Sequence, residues 1–600
     1  MSLVDDDLLD YYQRELVYLR KAGVDFARSY PKVAGRLELG PNESADPNVE
    51  RLIEAFAFLT GRIQRNLESE FPEVTQALLG LLYPQMTQPV PAMAIARLDA
   101  DPDTAQLTTG HVVPRHTALS AEGSEDVRCR FRTAQDVTLW PITVERARIE
   151  STDQFDFLDT GDVAAVLRLT LRSQGVMFNA LEVRSLRFFL DADPVLASSL
   201  FELIFSQVSR VGFQWADARP RVDLAERVLS PVGFDEAEAV LPYPRHAHPA
   251  YRLLQEYFSF PQKFHFFDVA LPKVEAETDR LDVLLMLRYM PKERLFIDRT
   301  TFALGCVPVI NLFPKMVEPI RRHHRMTEYR LVPDYRNERT AEIHSLLSVT
   351  GVSETGERSG EYLPFFSFNH DREGGGGDAY WLQRRVPTGR KDLPGTDMFM
   401  AFVDLKFKPT RPPDETIFVT ALCTNRTLTE QVPAGAELQT EQAAPLARIT
   451  LLNKPTAPRP PPLGGETAWR LISHLSLNYL SLAEGADSLK ALREILRLYA
   501  PPRDAAADQQ IQGLSAMECR RVVRRLRDRF GGFARGVEVA LEFDERRFVG
   551  GSAFLMAMVL NRFLGLYTTV NSFTQLKITS KQRSGVWKVW APLSGDQHVL

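Results

Sequence analysis

The order of apolar and polar positions divides the chain into four stretches. From Asp5 to Ser29, Leu8, Tyr12, Leu16 and Leu19 share one face while Asp10, Arg14 and Arg20 take the others, as in an amphipathic helix. A second helix opens at Asp46 and Pro47, a capping residue followed by a helix starter. It repeats Leu52, Phe56, Leu59, Ile63 and Leu67 at alternating four- and three-residue steps. That spacing wants a partner helix. A third helix is expected from Pro72 to Tyr83, so residues 1–85 read as a helical unit that packs on itself or enters a bundle with other chains.

Beyond Pro91 the period falls towards two. ARLDA, CRFRTA, VTLWPITVERARI, VLRLTLRS and SLRFFLDA read as strands, and Pro194 to Val208 as a helix crossing them, giving an α+β or mainly β domain over 86–240. The stretch from Pro242 to Asp268 is the richest in rings. Tyr251, Leu254, Tyr257 and Phe258 recur at helical spacing between Pro249 and Pro261, and Phe264, Phe266 and Phe267 follow as a buried strand interrupted by His265. Each ring can bury on the order of 150–250 Å², so the segment is either the centre of a core or a docking surface for another chain. RLDVLLMLRYM, TFALGCVPVINLF with Asn311 and Phe313, AEIHSLLSV, DMFMAFVDLKF and ETIFVTALCTNR extend a sheet-rich region over 241–455. Pro308 in that series marks a bend or a sheet edge, and Asn311 is a buried polar residue expected to satisfy backbone groups.

KPTAPRPPPLGG, from Lys454 to Gly465, reads as a stiff proline linker followed by a flexible pair. After it, WRLISHLSLNYLSL, SLKALREILRLYA, SAMECRRVVRRLRDRF and GGSAFLMAMVLNRFLGLY are read as helices, with GVEVALEFD as a strand, so residues 456–600 form a mainly helical module. The fold class is a multidomain α+β protein: N-terminal helical unit, sheet-rich middle, C-terminal helical module.

Composition removes several functions. With 600 residues, 25% charged and a net charge of −5, the chain carries no global basic excess to recruit nucleic acid or an anionic membrane. Its four cysteines, Cys129, Cys306, Cys423 and Cys519, are scattered, which signals neither zinc nor a disulfide framework and fits a reducing compartment. The acidic N-terminus lacks the form of a signal peptide. The apolar run Ala553 to Leu560 falls short of the ~20 residues of a membrane helix, so a cytoplasmic protein without direct membrane insertion is expected.

Local catalytic signatures are missing as well. No HExxH, GxSxG, GxxxxGK[ST] or GxGxxG occurs, and the pair His246 and His248 lacks further ligands at metal-site spacing, so no cofactor is expected. An enzyme whose site is dispersed in sequence stays open as an alternative. So does nucleic-acid binding through Arg520 to Arg529, where six arginines fall in ten residues around Val522, Val523 and Leu526. The favoured reading of Arg520, Arg521, Arg524 and Arg525 is a solvated helix or one that contacts an acidic partner. Gly374 to Gly377 reads as a mobile loop.

The block AYRLLQEYFSFPQKFHFFD, the strand LGCVPVINLF followed by EPI, GTDMFMAFVDLKF, ALCTNR, and the closing GSAFLMAMVLNRF with TTVNSFTQL resemble, in order and over nearly the whole chain, the TssF family (VasA or ImpG) of type VI secretion baseplate proteins. The resemblance implies a structural role and no catalysis. It implies a wedge of two copies of the chain with one TssG, gathered with TssK, TssE and neighbouring wedges around the VgrG hub to support sheath and tube growth. It also implies that the stripes Leu8 to Leu19 and Leu52 to Leu67 join a bundle with a second copy and TssG, and that the apparatus is associated with the inner membrane.

Overall fold

A computed structural model describes the chain except for residues 1–10, 14, 21, 24–25, 27–30, 35–45, 70–77, 81, 102–107, 123–127, 159–161, 216–219, 245–246, 292–294, 324–325, 354–357, 366–378, 391, 405–414, 443, 464–487, 503, 526–532, 567, 569–571 and 596–600. Leu8, most of the third expected helix, the WRLISHLSLNYLSL helix and the four-glycine run therefore lie outside the described residues. Two compact units emerge: Met1–Leu81 with Pro462–His474, and Leu82–Pro461 with Leu475–Leu600.

The first unit is built on α1, Pro47–Ser69. Asp46 caps it, its carboxylate accepting from Asn48 N at 2.8 Å and its carbonyl from Glu50 N at 3.0 Å. Ala57 and Gly61 are buried on one face. A Cβ on Gly61 would stand 3.0 Å from the backbone nitrogen of Tyr12, so the absence of a side chain is what lets the preceding helical segment approach. Arg20 ties the two together through Glu50 at 2.5 Å.

The second unit contains six sheets of four or more strands. The first runs, in spatial order, Leu438–Thr440, Ala118–Glu122, Arg128–Thr133, Cys306–Ile310, Met93–Ala100, Leu446–Leu451. The second orders Arg221–Leu224, Val208–Gln214, Arg280–Leu287, Ala165–Ser173 and Ile142–Ser151. In the third, Phe266–Ala270 pairs between Leu229–Pro231 and Ser185–Leu190. Each of these three takes strands from both sides of residue 240. Strand Arg280–Leu287 is central, and its near-continuous apolar run follows from burial on both faces. Pro308 is not at a sheet edge. Its strand is interior, and on the side of Arg128–Thr133, which pairs at Val309 and Ile310, the Pro308 carbonyl still accepts from Ala134 N at 2.9 Å, so the missing N–H falls at the end of that ladder. Two further sheets follow: Phe313–Met316, Glu415–Thr424, Glu342–Ser353 and Arg358–Glu361 in one, and Tyr329–Leu331, Thr396–Asp404, Ala379–Pro387 and Leu363–Pro364 in the other.

Helices bridge these sheets. Asp193 caps α2, Pro194–Glu202, by accepting from Val195 and Leu196 N. The aromatic block forms α3, Pro249–Ser259, with every residue from Ala250 onward buried. Phe264 then lies in a 3-10 turn, and Phe266 and Phe267 enter the third sheet opposite Phe189 and Phe188. Near the C-terminus come α4, Ser488–Tyr499, α5, Ala505–Gln512, and α6, Ala553–Leu566, whose residues are buried without a break from Ser552 to Asn561.

The C-terminal region departs from the expected helical module. Leu514–Arg525, expected as a helix, is a strand paired antiparallel with Phe533–Phe543. That strand is joined through α6 to Ser572–Ser580, which runs parallel beside it. The physical reason is the partner strand: Val537, Val539 and Leu541 offer a buried face, and Met517, Cys519, Arg521 and Val523 alternate along it with period two. The proline segment is also less free than its composition suggests. Thr456 N donates to Met93 O, and Arg459 and Val90 exchange both backbone hydrogen bonds at 2.8 and 2.9 Å, so its first half is strapped to the first sheet.

Candidate assembly surfaces

On α1 the repeat read from the sequence is an exposed stripe. Leu52, Phe56, Leu59 and Ile63 are 68%, 60%, 54% and 55% accessible, while Ala57 and Gly61 pack on a different face. Leu67 continues the helix, with its side chain outside the described residues. Tyr12, Leu16 and Leu19 are half-buried, and their neighbours Val17 and Tyr18 are exposed. Burying a side chain of this size is worth about 1.5–3 kcal/mol, so four together make a large apolar liability in water.

The aromatic block has the opposite fate. Tyr251, Leu254, Tyr257, Phe258, Phe264, Phe266 and Phe267 are all buried within the chain. Tyr251 stacks on Tyr499 of α4 at 5.7 Å and meets Phe563 of α6 edge-on at 5.8 Å, so the block joins the C-terminal helices to the sheets. Beneath it lies a charged node that sequence reasoning missed. Glu256 accepts from Val240 and Leu241 N at 2.8 and 3.0 Å and from the Lys263 ammonium, and Arg252 stands 3.8 Å away. All three side chains are essentially inaccessible. Burial pushes the Glu256 carboxyl up, yet Lys263 and Arg252 outweigh it and hold the group below its ordinary value. Lys263 is pulled down by burial against the attraction of Glu256. The signal available in the sequence was a Glu and a Lys inside an otherwise aromatic stretch.

Asn311 and Phe313 are buried as well. The Asn311 amide donates to Arg130 O at 2.6 Å and to Asn425 Oδ1 at 2.8 Å, and Asn425 N returns a bond of 2.7 Å to Asn311 Oδ1. Arg130 lies over the Phe313 ring. These asparagines pin the first sheet to the fourth. Next to them Arg426, held at φ 52°, donates to Ala341 O and Pro394 O, and the buried Arg385 donates to Ile343 O and His344 O. Two histidines are sealed in the interior: burial takes His265 down to about 4, and burial with Arg385 and Arg132 nearby takes His344 down to about 3.

The arginines Arg520, Arg521 and Arg524 line an exposed strand, with the Arg525 side chain outside the described residues. Arg520 pairs with Glu518 and Arg524 with Glu538, both at 2.9 Å. A cleft of about 1170 Å³ opens between the first three sheets, and ion pairs such as Arg97–Asp99 at 2.7 Å and Arg187–Asp268 at 2.8 Å line it. Among the described residues no cluster of three or more His, Cys, Asp or Glu could hold a metal ion. Nor is any described helix long and apolar enough to cross a membrane.

The family model for "Type VI secretion system, TssF" matches residues 4–597. The chain belongs to the TssF family. It is therefore a structural component of the type VI secretion baseplate and not an enzyme. A curated TssF-family relative, the type VI secretion system component TssF1 of Pseudomonas aeruginosa (strain PAO1), is 35% identical, with 99% of each chain covered. The fold is similar to a chain in the cryo-electron microscopy structure of a TssK-TssF-TssG baseplate subcomplex, at TM-score 0.72 and 25% identity over 90% of this chain and 98% of that one. A second TssF-like fold, in a structure of the type VI secretion baseplate complex, aligns at TM-score 0.61 and 23% identity over 99% and 100%.

Proposed function

We propose that two copies of this chain and one TssG-like subunit form a wedge, and that such wedges gather with TssK and TssE around a VgrG hub on the cytoplasmic side of the secretion apparatus. The observation that carries this reading is the stripe on α1. Leu52, Phe56, Leu59 and Ile63 are spaced for a helical seam and stand open to solvent, while the other face of the same helix is already packed. A seam of that kind is covered by helices of other subunits. The solved subcomplex that holds a TssF chain with TssK and TssG supports a second copy and a TssG-like subunit as the source of those helices. The sheet unit then sets the shape of the wedge, and its peripheral surfaces meet neighbours.

Native mass spectrometry of the chain, alone and co-expressed with the TssG-like partner, tests the stoichiometry; two to one is expected. Replacing Leu52, Phe56, Leu59 and Ile63 together by alanine should abolish the complex, because truncating an interface anchor costs ~2 kcal/mol or more, and should leave the sheet unit's unfolding unchanged. Undiminished co-purification of the quadruple variant would refute the bundle.

A further inference from the structure

The C-terminal hairpin runs further than the core it serves. Val537, Val539 and Leu541 of its inner strand are at most 8% accessible, yet on the same face, two and four residues earlier, Arg535 and Phe533 are exposed, Phe533 at 79%. Val523, opposite Arg535, is 62% accessible. The core-facing surface of the ribbon therefore continues past its last buried residue as an open apolar and basic face. Leu514–Arg525 is also the outermost strand of its sheet, and among the described residues no strand lies beside its free edge. Among the described residues, Arg493 of α4 covers its start by donating to the carbonyls of Gln512 and Leu514. Ser572–Ser580 flanks the inner strand from Arg535 onward, so the open edge is that of Leu514–Arg525, and an open edge with exposed valine and phenylalanine near it is a template for another strand.

Charge selects the occupant. Within Cys519–Val537 the sequence holds seven arginines and one acidic residue. Arg520 and Arg524 already engage Glu518 and Glu538 on the opposite face, whereas Arg535 stands exposed on the apolar side, where no ion pair holds it among the described residues. A nucleic acid fits this distribution poorly, because those two glutamates sit among the arginines that would meet its phosphates. We propose that the outer half of this ribbon, Cys519–Arg525 with Phe533–Val537, is a docking arm for an acidic, extended segment of another protein. That segment adds a strand along the free edge and lays apolar side chains over Val523 and Phe533. The assembly reading above supplies the neighbour, but the arm's chemistry can be tested apart from it.

The probe is a labelled decapeptide of alternating Glu and Val, with Lys-Val and proline-interrupted versions and a 20-base-pair duplex as controls, titrated against the full chain. The acidic peptide should bind and should slow amide exchange in 519–525. The lysine and proline versions should not, the last because it removes strand N–H donors. Phe533→Glu with Arg535→Glu, both at exposed positions and so without effect on the unfolding temperature, should weaken peptide binding by about tenfold or more. That follows from losing one charge pair and one apolar contact between neighbouring strands. Absence of binding, binding without protection at 519–525, indifference to the double substitution, or preference for the duplex would each overturn the arm. A two-to-one complex whose arm ignores the peptide defeats this proposal alone, and a peptide-binding chain that forms no such complex defeats only the wedge.

Discussion

The buried node at Glu256 makes an asymmetric prediction about which charge the fold can lose. Three ionised side chains share one dry site: the anion Glu256 and the cations Lys263 and Arg252. Glu256→Ala leaves two buried cations facing each other and strips the acceptor from Val240 and Leu241 N. Breaking a buried pair costs about 3–5 kcal/mol and each orphaned backbone donor about 1–3 kcal/mol. The total is comparable to the ~5–15 kcal/mol stability of a whole domain. Lys263→Met removes the excess charge, leaving Glu256 with Arg252 at 3.8 Å and both backbone donors, so it should cost only about 1–2 kcal/mol. The pair Glu256→Leu with Lys263→Met should recover much of what Glu256→Ala loses. Thermal and urea unfolding midpoints of the purified chain, followed by tryptophan fluorescence, provide the measurement. Equal loss from Glu256→Ala and Lys263→Met would refute the electrostatic account and leave only packing.

Acid should weaken the fold before its carboxylates titrate. His265 and His344 have folded values of about 4 and about 3, below the ~6.5 of an unfolded histidine, so the unfolded chain binds more protons in between. Stability is then full above pH 6.5 and falls as pH drops towards 4, by roughly 2 kcal/mol per histidine at pH 5. An unfolding temperature identical at pH 7.5 and 5 would contradict this, and His265→Phe should remove part of the slope. Asn311→Leu should orphan Asn425 N and the Arg130 carbonyl and cost about 2–4 kcal/mol by denaturant melt; a neutral outcome would mean that water replaces the amide. Gly61→Ala places a Cβ 3.0 Å from Tyr12 N and should loosen the first helical unit, seen as faster amide exchange in 47–63 with the sheet unit unaffected.

What the sequence disclosed was local. Apolar period two identified the strands of the middle region, and Pro249 and Pro261 bounded α3, because burial pattern and proline geometry act on neighbours in the chain. Strand order was hidden: Cys306–Ile310 inserts between Arg128–Thr133 and Met93–Ala100, a pairing chosen by contacts some 180 to 210 residues away. The misreading at Leu514–Arg525 has the same origin. Arginine is a good helix former and Leu, Met and Val suit either period, so only the partner strand decides. The polar nodes were legible as anomalies but not as networks. Glu256 and Lys263 stood out among aromatics, yet the backbone donors and neighbouring charges that satisfy them come from the 240–241 loop and from Arg252.

These networks and the α1 stripe answer one physical question in opposite ways. A buried polar group is costly unless every partner is in place, so Glu256, Asn311, Arg385 and Arg426 each impose one arrangement on the elements that meet there. They contribute uniqueness to an interior whose apolar packing alone would tolerate alternatives. An exposed apolar stripe imposes nothing on the isolated chain. Leu52, Phe56, Leu59 and Ile63 gain their free energy only when another surface excludes water from them. Small residues on the inner face of α1 hold the helix in place without consuming that stripe, since Gly61 packs by close approach to the Tyr12 backbone and Ala57 is buried on the same face. A helix arranged this way is fully specified on one side and unfinished on the other. In the proposed wedge that division would let the fold form before its partners arrive and leave the apolar free energy for joining them.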